Sequence, residues 1–405
     1  TKYLIEIERD MGDTMIELYS EDEYSEDEKT FDSETFNKFI AGYQIQKSIT
    51  FTTEQKDAIK SSVKNHFNIV CGYPGTGKTT ITEAACCYLH TYNSEINICL
   101  TSHTGLATKN LKAAIEQKYY KSKLVGTITK LIYSTFPQIR ESLLNTGVYS
   151  LESQDMYKNM KPDLVVVDEM SMVDMILFNS LLKWCKYFNC RLILLGDEKQ
   201  LPPIGPGNTL QTFVDAFKDK EQKQFNVSFN ISYLTVIKRQ DTGVLKDNIM
   251  IMSKRTLKPS DFDQESMIFL PENDFINFKT KNLDSTKFRK FLKHFNLTTT
   301  NTHFVAPQKT KEFSCMYINN VLQKYFNPIG PTTQQMENNK RNRYKPTFTF
   351  HEKDKIIRLR NQYDSKEDTF YANGDTGTVH LVHNPNGSKK AKIKYASYNI
   401  KFANG

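Results

Sequence analysis

The chain has 405 residues, of which 39% are hydrophobic and 12% aromatic, so it is long enough for two or three folded domains. Its net charge of +8 conceals an acidic head, because residues 1–36 carry thirteen acidic and three basic residues, which leaves a charge of +18 on residues 37–405. The sequence has no apolar run of about 18 residues, which argues against a membrane-spanning helix, and its acidic beginning argues against a signal peptide.

The basic body of the chain favours a polyanionic partner, and nucleic acid is the first candidate. The alternative is that a lysine-rich composition only keeps the protein soluble. Residues 1–45, with EDEYSEDE at 21–28, are predicted to form a loosely packed acidic extension. A second interpretation is that this extension mimics nucleic acid and covers a basic groove. The seven cysteines form no CxxC pair and are predicted to be reduced thiols of an intracellular protein.

A glycine-rich loop follows the first predicted strand. The segment GYPGTGKT, residues 72–79, fits the pattern G-x-x-x-x-G-K-[ST], with a predicted strand at 67–71 before it and a predicted helix at 80–90 after it. Such a loop lets backbone N–H groups surround phosphate oxygens at a helix N-terminus. A chance match in a glycine-rich turn is the alternative. We predict that Lys78 reaches the β and γ phosphates of ATP and that Thr79 holds Mg²⁺. The predicted nucleotide-binding residues of this loop are Gly72, Gly75, Thr76, Gly77, Lys78, Thr79 and Thr80.

A pair of carboxylates follows a second predicted strand. The segment LVVVDEMSM, residues 164–172, starts with a β-branched run typical of a strand buried on both faces. Asp168 and Glu169 stand at its C-terminal edge, where ligands bind in open α/β sheets. Asp168 is the predicted metal ligand, and Glu169 is the predicted general base for an attacking water. An Asp-Glu pair after a strand is also common on ordinary protein surfaces, so the prediction of a metal and base site depends on the neighbouring phosphate loop.

A third predicted strand ends in the polar, proline-rich segment GDEKQLPPIGPG, residues 196–207. Asp197 and Gln200 come directly after this strand, where they are predicted to sense a γ-phosphate. The alternative is an ordinary turn with two prolines.

In combination, these three segments resemble motifs I, II and III of superfamily 1 helicases, in particular the RecD-like and Dda-like branch that moves 5′ to 3′. GDEKQLPP is the most specific of the three. The resemblance implies an α/β fold with two RecA-like P-loop domains built on parallel sheets, a small β-rich SH3-like module, and an insertion in the first domain.

Further segments match this family in its motif order. FTTEQKDAI, residues 51–59, resembles the Q motif, which implies that Gln55 recognises adenine. LTVIKRQ, residues 234–240, resembles motif IV, which implies that Arg239 acts as an arginine finger from the second RecA-like domain. Residues 101–111 and 126–132 resemble motifs Ia and Ib, which contact a single strand in the family. The nucleic-acid-binding residues implied are Thr101, Ser102, His103, Thr104, Lys109 and Thr127.

The resemblance also divides the chain. It predicts an acidic extension at 1–45, a first RecA-like ATP-binding domain at 46–234, a second at 235–350, and a β-rich SH3-like module at 351–405. An insertion at about 134–160 stands where the family carries a pin that separates strands, although an ordinary helix and loop fit its pattern equally well.

Two departures from the family pattern affect these expectations. Thr129 stands where motif Ib usually has histidine, and nothing in the sequence resembles motifs V and VI. We therefore expect the sequence to be a fragment or to omit segments.

The resulting hypothesis is an ATP- and Mg²⁺-dependent DNA helicase or translocase acting on single-stranded DNA or on a duplex/single-strand junction. Its expected setting is intracellular, cytoplasmic or nuclear, with other replication or repair proteins as further partners and no membrane. The Asn- and Lys-rich composition suggests a viral source. Two alternatives stay open at this stage: an RNA helicase of the same fold, and an ATP- and nucleic-acid-binding module with little turnover.

Overall fold

The chain divides into two compact units, Thr1–Asp261 (unit 1) and Phe262–Gly405 (unit 2). The computed structural model describes residues 2–19, 31–115, 124–135, 161–218, 230–238, 276–277, 282–299, 302–306, 314–328, 354–357, 362–364, 369–371, 376–380 and 399–402. The predicted boundary between RecA-like domains, after residue 234, is followed by residues 239–275, which lie outside this set. The four-part division of the chain therefore stays a prediction.

Unit 1 is built on a six-stranded parallel sheet. Its strands are β1 (Phe67–Gly72), β2 (Ile98–Ser102), β3 (Leu124–Thr127), β4 (Leu164–Asp168), β5 (Arg191–Gly196) and β6 (Asn230–Leu234). Their spatial order is β3-β2-β4-β5-β1-β6, and every neighbouring pair is parallel. The predicted strands at 67–71 and 165–167 are confirmed, and so is the α/β class of this unit.

Helices join these strands, as parallel pairing requires. The described helices of unit 1 are α1 (Lys2–Tyr19), α2 (Ser33–Lys47), α3 (Thr53–Lys64), α4 (Lys78–Tyr92), α5 (Gly105–Ile115), α6 (Ile128–Thr135), α7 (Met175–Phe188) and α8 (Thr209–Lys218). Asp32, Thr52 and Asp174 cap α2, α3 and α7, because each side chain accepts a hydrogen bond from a backbone N–H in the first turn.

Alternate residues of each central strand face opposite sides of the sheet, and both sides are covered. In β4, Val165 and Val167 belong to one apolar cluster with helix α7, whereas Leu164 and Val166 belong to a second cluster with helices α3 and α4. All four side chains are fully buried. The β-branched run in the sequence is explained by this burial on both faces.

The N-terminal helix α1 packs firmly on α7. Leu18 and Tyr19 are buried, and Tyr19 stacks on Phe67 of β1 with 5.1 Å between ring centroids. Lys183 pairs with Asp10 at 2.6 Å, and Lys186 pairs with Glu17. The expectation of a loosely packed acidic extension is therefore wrong for residues 2–19, because an apolar stripe and basic residues on α7 hold this helix. The run EDEYSEDE lies outside the described residues.

The described part of unit 2 contains two helices and short antiparallel strands. These elements are α9 (Ser285–His294), α10 (Cys315–Phe326), β7 (Ile276–Asn277), β8 (Asn282–Leu283), β9 (Lys355–Ile357), β10 (Gln362–Asp364), β11 (Thr369–Tyr371), β12 (Thr376–His380) and β13 (Asn399–Phe402). Strands β9 to β13 fall in the segment predicted to be β-rich and form sheets of order β10-β11 and β13-β12-β9. A second RecA-like domain and an SH3-like module stay predictions.

Candidate functional site

The candidate site lies at the carboxyl ends of three adjacent strands. Strands β4, β5 and β1 are neighbours, and they end at Asp168, Gly196 and Gly72. Because the strands are parallel, the segments that follow them leave from the same edge. The sheet therefore brings together the glycine-rich loop, the carboxylate pair and the GDEKQLPP segment, which are up to 131 residues apart in the sequence.

The glycine-rich loop turns back on itself before it enters α4. The Thr76 amide and hydroxyl both donate to the carbonyl of Tyr73, at 3.3 and 2.8 Å. Gly75 and Gly77 have φ angles of 83° and 91°, a backbone conformation that residues with a Cβ rarely adopt. Thr79 and Thr80 follow in the first turn of α4 and are partly buried. The loop thus leads from the end of β1 directly into the N-terminus of α4.

Lys78 is a partly buried cation of the site. Its Nζ donates to the carbonyl of Gly72 at 2.5 Å and to that of Tyr73 at 3.3 Å. Burial lowers the pKa of this ammonium, and the nearby carboxylates of Asp197, Asp168 and Glu169 act against that shift. Lys78 is therefore a desolvated positive charge that an anion beside it would stabilise.

Asp168 and Glu169 are desolvated carboxylates. Burial raises the pKa of both, the Asp168 charge raises the pKa of Glu169 further, and Lys78 opposes the rise in each case. The Glu169 amide donates to Asp168 Oδ1 at 2.9 Å, and Glu169 has a φ of 55°, which is uncommon for a residue with a side chain. A carboxyl with a raised pKa is a suitable base near neutral pH, and a cation beside the pair would offset its repulsion.

The segment after β5 is anchored at both ends. Asp197 is buried, and it accepts hydrogen bonds from the Lys199 amide to Oδ1 at 3.0 Å and from the Gln200 amide to its carbonyl at 3.1 Å. The carbonyl of Pro206 accepts from the Met175 amide at 3.0 Å. Between these anchors Gln200 is exposed, and its Oε1 accepts from the Ser171 hydroxyl at 3.4 Å. Ser171 stands two residues after Glu169, so Gln200 is linked to the carboxylate segment.

Gln55, the predicted adenine-recognition residue, contacts the phosphate loop. Its Oε1 accepts from the Thr52 amide at 3.0 Å in a capping box, and its Nε2 donates to the carbonyl of Thr76 at 2.8 Å. The residue is buried. Gln55 therefore braces the loop in this structure, and its role in adenine recognition stays a prediction.

The predicted nucleic-acid-binding residues differ in their exposure. Thr101 is fully buried and its hydroxyl donates to the carbonyl of Gly126 at 2.8 Å, while Ser102 is fully buried and its Oγ has no hydrogen-bond partner among the described residues. Thr127 is buried and accepts from the Lys130 amide at 3.3 Å. The surface-accessible members of the set are His103, which is exposed, and Thr104 and Lys109, which are partly buried. The nucleic-acid role of all six stays a prediction.

Arg239, the predicted arginine finger, lies outside the described residues. The residue before it is placed next to the loop, because the Lys238 amide donates to the carbonyl of Gly75 at 2.8 Å. Sequence reasoning missed this contact and also the contacts of Ser171 and Glu54. Glu54 precedes Gln55 in the first turn of α3, and its two carboxylate oxygens accept from Thr235. The sequence signal for Glu54 was a charged residue next to the motif residue Gln55. The sequence did not show its partner Thr235, which is 181 positions away.

Comparison with known proteins places this site in a family context. Residues 55–206 match the family model described as AAA domain. The RecBCD enzyme subunit RecD of Buchnera aphidicola (subsp. Acyrthosiphon pisum) is 26% identical over 250 residues, which cover 59% of this chain and 39% of that protein. The RecD subunit of Haemophilus influenzae is 31% identical over 164 residues, covering 39% and 26%. Over these residues the first unit is similar to RecD subunits.

Other relatives extend the comparison. The ATP-dependent RecD2 DNA helicase of Deinococcus radiodurans is 27% identical over 163 residues, which cover 40% of this chain and 20% of that protein. The chain thus spans about two fifths or less of these curated relatives. A solved structure of Pif1 helicase from Bacteroides is 17% identical over 83% of this chain and 71% of that chain, with a TM-score of 0.44.

The residues of this site fit a nucleotide with a divalent cation. A desolvated ammonium suits phosphate oxygens, and two desolvated carboxylates whose charges act on that ammonium suit a hard cation, which prefers oxygen ligands. An added Cβ at Gly72 would stand 2.7 Å from Thr76 Oγ1, so the loop is packed too closely for any other residue there. Among the described helices, none is long and apolar enough to cross a membrane.

Proposed function

We propose that this protein is an ATP-dependent DNA helicase or translocase that moves 5′ to 3′ on single-stranded DNA. The observation that carries the proposal is the Lys78 ammonium, which is partly buried at a phosphate loop and interacts electrostatically with Asp197, Asp168 and Glu169. This combination of cation and carboxylates is the machinery of nucleotide hydrolysis in P-loop proteins. Similarity to RecD subunits and to a protein named ATP-dependent RecD2 DNA helicase supports DNA as the second substrate.

Each site residue has a proposed role. Lys78 and the loop amides bind the phosphates of ATP, while Thr79 and Asp168 hold Mg²⁺, which offsets phosphate charge when it is bound. Glu169 orients water and takes its proton, since burial has raised the pKa of its carboxyl. Gln200 senses the γ-phosphate, and its contact with Ser171 provides a route from the carboxylate segment to an exposed loop. The remaining proposed nucleotide contacts are those of Gln55, Gly72, Gly75, Thr76, Gly77, Thr80 and Arg239.

DNA binding is proposed on the +18 charge of residues 37–405 and on the segments after β2 and β3. Of the six proposed nucleic-acid-binding residues, His103, Thr104 and Lys109 are the ones accessible to a DNA strand. Because such binding depends on phosphate contacts, affinity for single-stranded DNA is expected to fall as salt rises, by a logarithmic slope of about 0.7 per contact. Strand separation by the insertion at 134–160, which lies outside the described residues from 136 onward, is part of the same proposal.

The test is ATP hydrolysis with and without single-stranded DNA, with Mg²⁺ present. Lys78→Ala is expected to lower the DNA-stimulated rate on the order of a hundredfold or more, because it removes the charge that meets the phosphates. Lys38→Ala is the matched control, since Lys38 is exposed and pairs with Glu34 within the same helix at 2.6 Å. DNA-stimulated turnover in Lys38→Ala but not in Lys78→Ala supports the proposal. Equal rates in the two variants would overturn it.

Two alternatives have distinct outcomes in the same assay. Stimulation by RNA and not by DNA of the same sequence would favour an RNA helicase. Tight ATP and DNA binding with no turnover would favour an ATP- and nucleic-acid-binding module. Direction is tested with duplexes that carry a single 5′ or 3′ tail, and the proposal expects unwinding from the 5′ tail. Partners among replication or repair proteins and an intracellular location, cytoplasmic or nuclear, complete the proposal.

A further inference from the structure

Three segments that are distant in the sequence meet beside the phosphate loop. They are the entry to α3, the loop itself, and residues 235–238, through which the chain leaves β6. The contacts that join them involve Thr50, Glu54, Gly75, Thr235 and Lys238, and we refer to this group as the clasp. All five residues belong to unit 1.

Glu54 makes the bidentate contact of the clasp. Its Oε2 accepts from the Thr235 amide at 2.8 Å, and its Oε1 accepts from the Thr235 hydroxyl at 2.7 Å. Hydrogen bonds to an ionised carboxylate are stronger than neutral ones, and two of them fix the direction of the chain as well as its position. Thr235 follows directly after β6, so Glu54 sets the direction in which the chain leaves the sheet.

Lys238 makes the second attachment of the clasp. Its amide donates to the carbonyl of Gly75 in the phosphate loop at 2.8 Å, and its Nζ donates to the carbonyl of Thr50. Between the two attachments the side chain of Ile237 is 3% exposed. Residues 235–238 are thus held at both ends and by an apolar contact in between.

The same helical turn that holds Thr235 also holds the loop. Gln55, the neighbour of Glu54, donates from Nε2 to the carbonyl of Thr76 at 2.8 Å. The Lys238–Gly75 hydrogen bond joins the exit segment to the phosphate loop. The first turn of α3 contacts both of these segments, the loop through Gln55 and the exit segment through Glu54. A shift of the loop carbonyls on nucleotide binding would act directly on Lys238.

We propose that Glu54 is a positioning residue for nucleotide hydrolysis. Through Thr235 it holds the exit segment against the phosphate loop, and so it fixes the chain up to Lys238, the residue that precedes Arg239 in the sequence. Among the described residues, the carboxylate of Glu54 forms hydrogen bonds with Thr235 and not with the phosphate loop. This inference rests on the proposed function and adds to it a residue that links the nucleotide loop to the chain leaving the first sheet.

The experiment compares Glu54→Ala and Glu54→Gln with the wild-type protein. Glutamine keeps both contacts, because its oxygen accepts from the Thr235 amide and its NH₂ donates to the Thr235 hydroxyl oxygen. Alanine removes both. Glu34→Ala is the matched control, since Glu34 is also an acidic residue in the first turn of a helix, and it pairs only locally with Lys38.

Two readouts are measured on each protein. Hydrogen exchange of the peptide covering 235–238 is expected to be about fivefold faster in Glu54→Ala, the effect of one lost hydrogen bond of ordinary strength, and unchanged in Glu54→Gln and Glu34→Ala. Exchange in β5 serves as the internal check that the fold is intact. In DNA-stimulated hydrolysis, kcat of Glu54→Ala is expected to fall on the order of tenfold or more, while KM for ATP stays within about threefold of the wild-type value.

The outcomes separate this proposal from the proposed function. Faster exchange with a lower kcat, both restored by glutamine, supports the positioning role. Faster exchange with unchanged kinetics means that the clasp is only structural, and unchanged exchange means that the contacts are not formed; either result overturns the proposal. If the wild-type protein does not hydrolyse ATP, the proposed function fails. Hydrogen exchange alone then tests the clasp. Slower exchange at 235–238 when ATP is added to the wild-type and Glu54→Gln proteins supports the link between the nucleotide loop and the exit segment, and unchanged exchange overturns it.

Discussion

Replacement of Gly77 by alanine tests the described geometry of the phosphate loop. Gly77 has a φ of 91°, and an added Cβ would stand 2.8 Å from Nε2 of Gln55, closer than real Cβ contacts allow. The Gln55 side chain must therefore move, and its hydrogen bond to the carbonyl of Thr76 is lost. The substitution combines backbone strain with a broken buried contact.

The expected cost follows from these two effects. A left-handed conformation in a residue with a Cβ costs about 1–2 kcal/mol, and a buried amide left without its partner costs about 1–3 kcal/mol. We therefore expect Gly77→Ala to lower the free energy of unfolding of unit 1 by about 3 kcal/mol, which corresponds to a decrease in Tm of roughly 6–12 °C for a unit of this size.

The assay is thermal unfolding followed by tryptophan fluorescence. Trp184 is the single tryptophan of the chain, it is 2% exposed, and it lies in α7, so its fluorescence reports the unfolding of unit 1. Gly42→Ala is the control, because an added Cβ at Gly42 in α2 meets nothing within 4 Å. Alanine there is expected to stabilise the helix by about 0.5–1 kcal/mol. A Gly77→Ala protein that unfolds at the wild-type temperature would refute the described loop geometry.

Three further predictions concern the site and its support. Asp168→Asn and Glu169→Gln are expected to reduce hydrolysis by about a hundredfold or more yet to stabilise the unliganded protein at pH 7. Because folding raises the pKa of both carboxyls, their ionised forms destabilise the wild-type protein above the folded pKa values, and this destabilisation disappears as the pH falls through them. A stability gain that persists unchanged at pH 4 would contradict the burial of the pair. Ser102→Ala removes a buried hydroxyl that has no hydrogen-bond partner in the described part of the chain, so we expect a gain of about 1 kcal/mol in unfolding experiments. Affinity for single-stranded DNA is expected to be unchanged in a binding titration, and weaker binding would instead favour the contact implied by the family resemblance. Tyr19→Ala should destabilise unit 1 by about 3 kcal/mol, whereas Ile5→Ala, at a side chain that is 57% exposed, should change stability by less than about 0.5 kcal/mol; equal effects in chemical denaturation would show that α1 is not docked as described.

Several parts of the site were predictable from the sequence because they depend on local pattern. The loop at 72–79 needs glycines at fixed spacing, and the strand before Asp168 needs a β-branched run, so both are visible within ten residues. Their position at one edge of the sheet was also predictable, because the carboxyl ends of adjacent parallel strands lie at the same edge. The sequence could not place Gln55 on the carbonyl of Thr76, since that contact depends on how α3 packs against the loop.

The sequence by itself determined the α/β class of unit 1, the strand that precedes each motif, and the identity of the charged groups at the site. The tertiary structure alone decided which side chains are available to a ligand. It buried Thr101 and Ser102 at the strand end, docked the acidic helix α1 on α7, and paired Glu54 with Thr235. The physical reason is that burial and pairing between distant residues depend on strand register and helix packing, which are fixed only when the whole sheet is assembled.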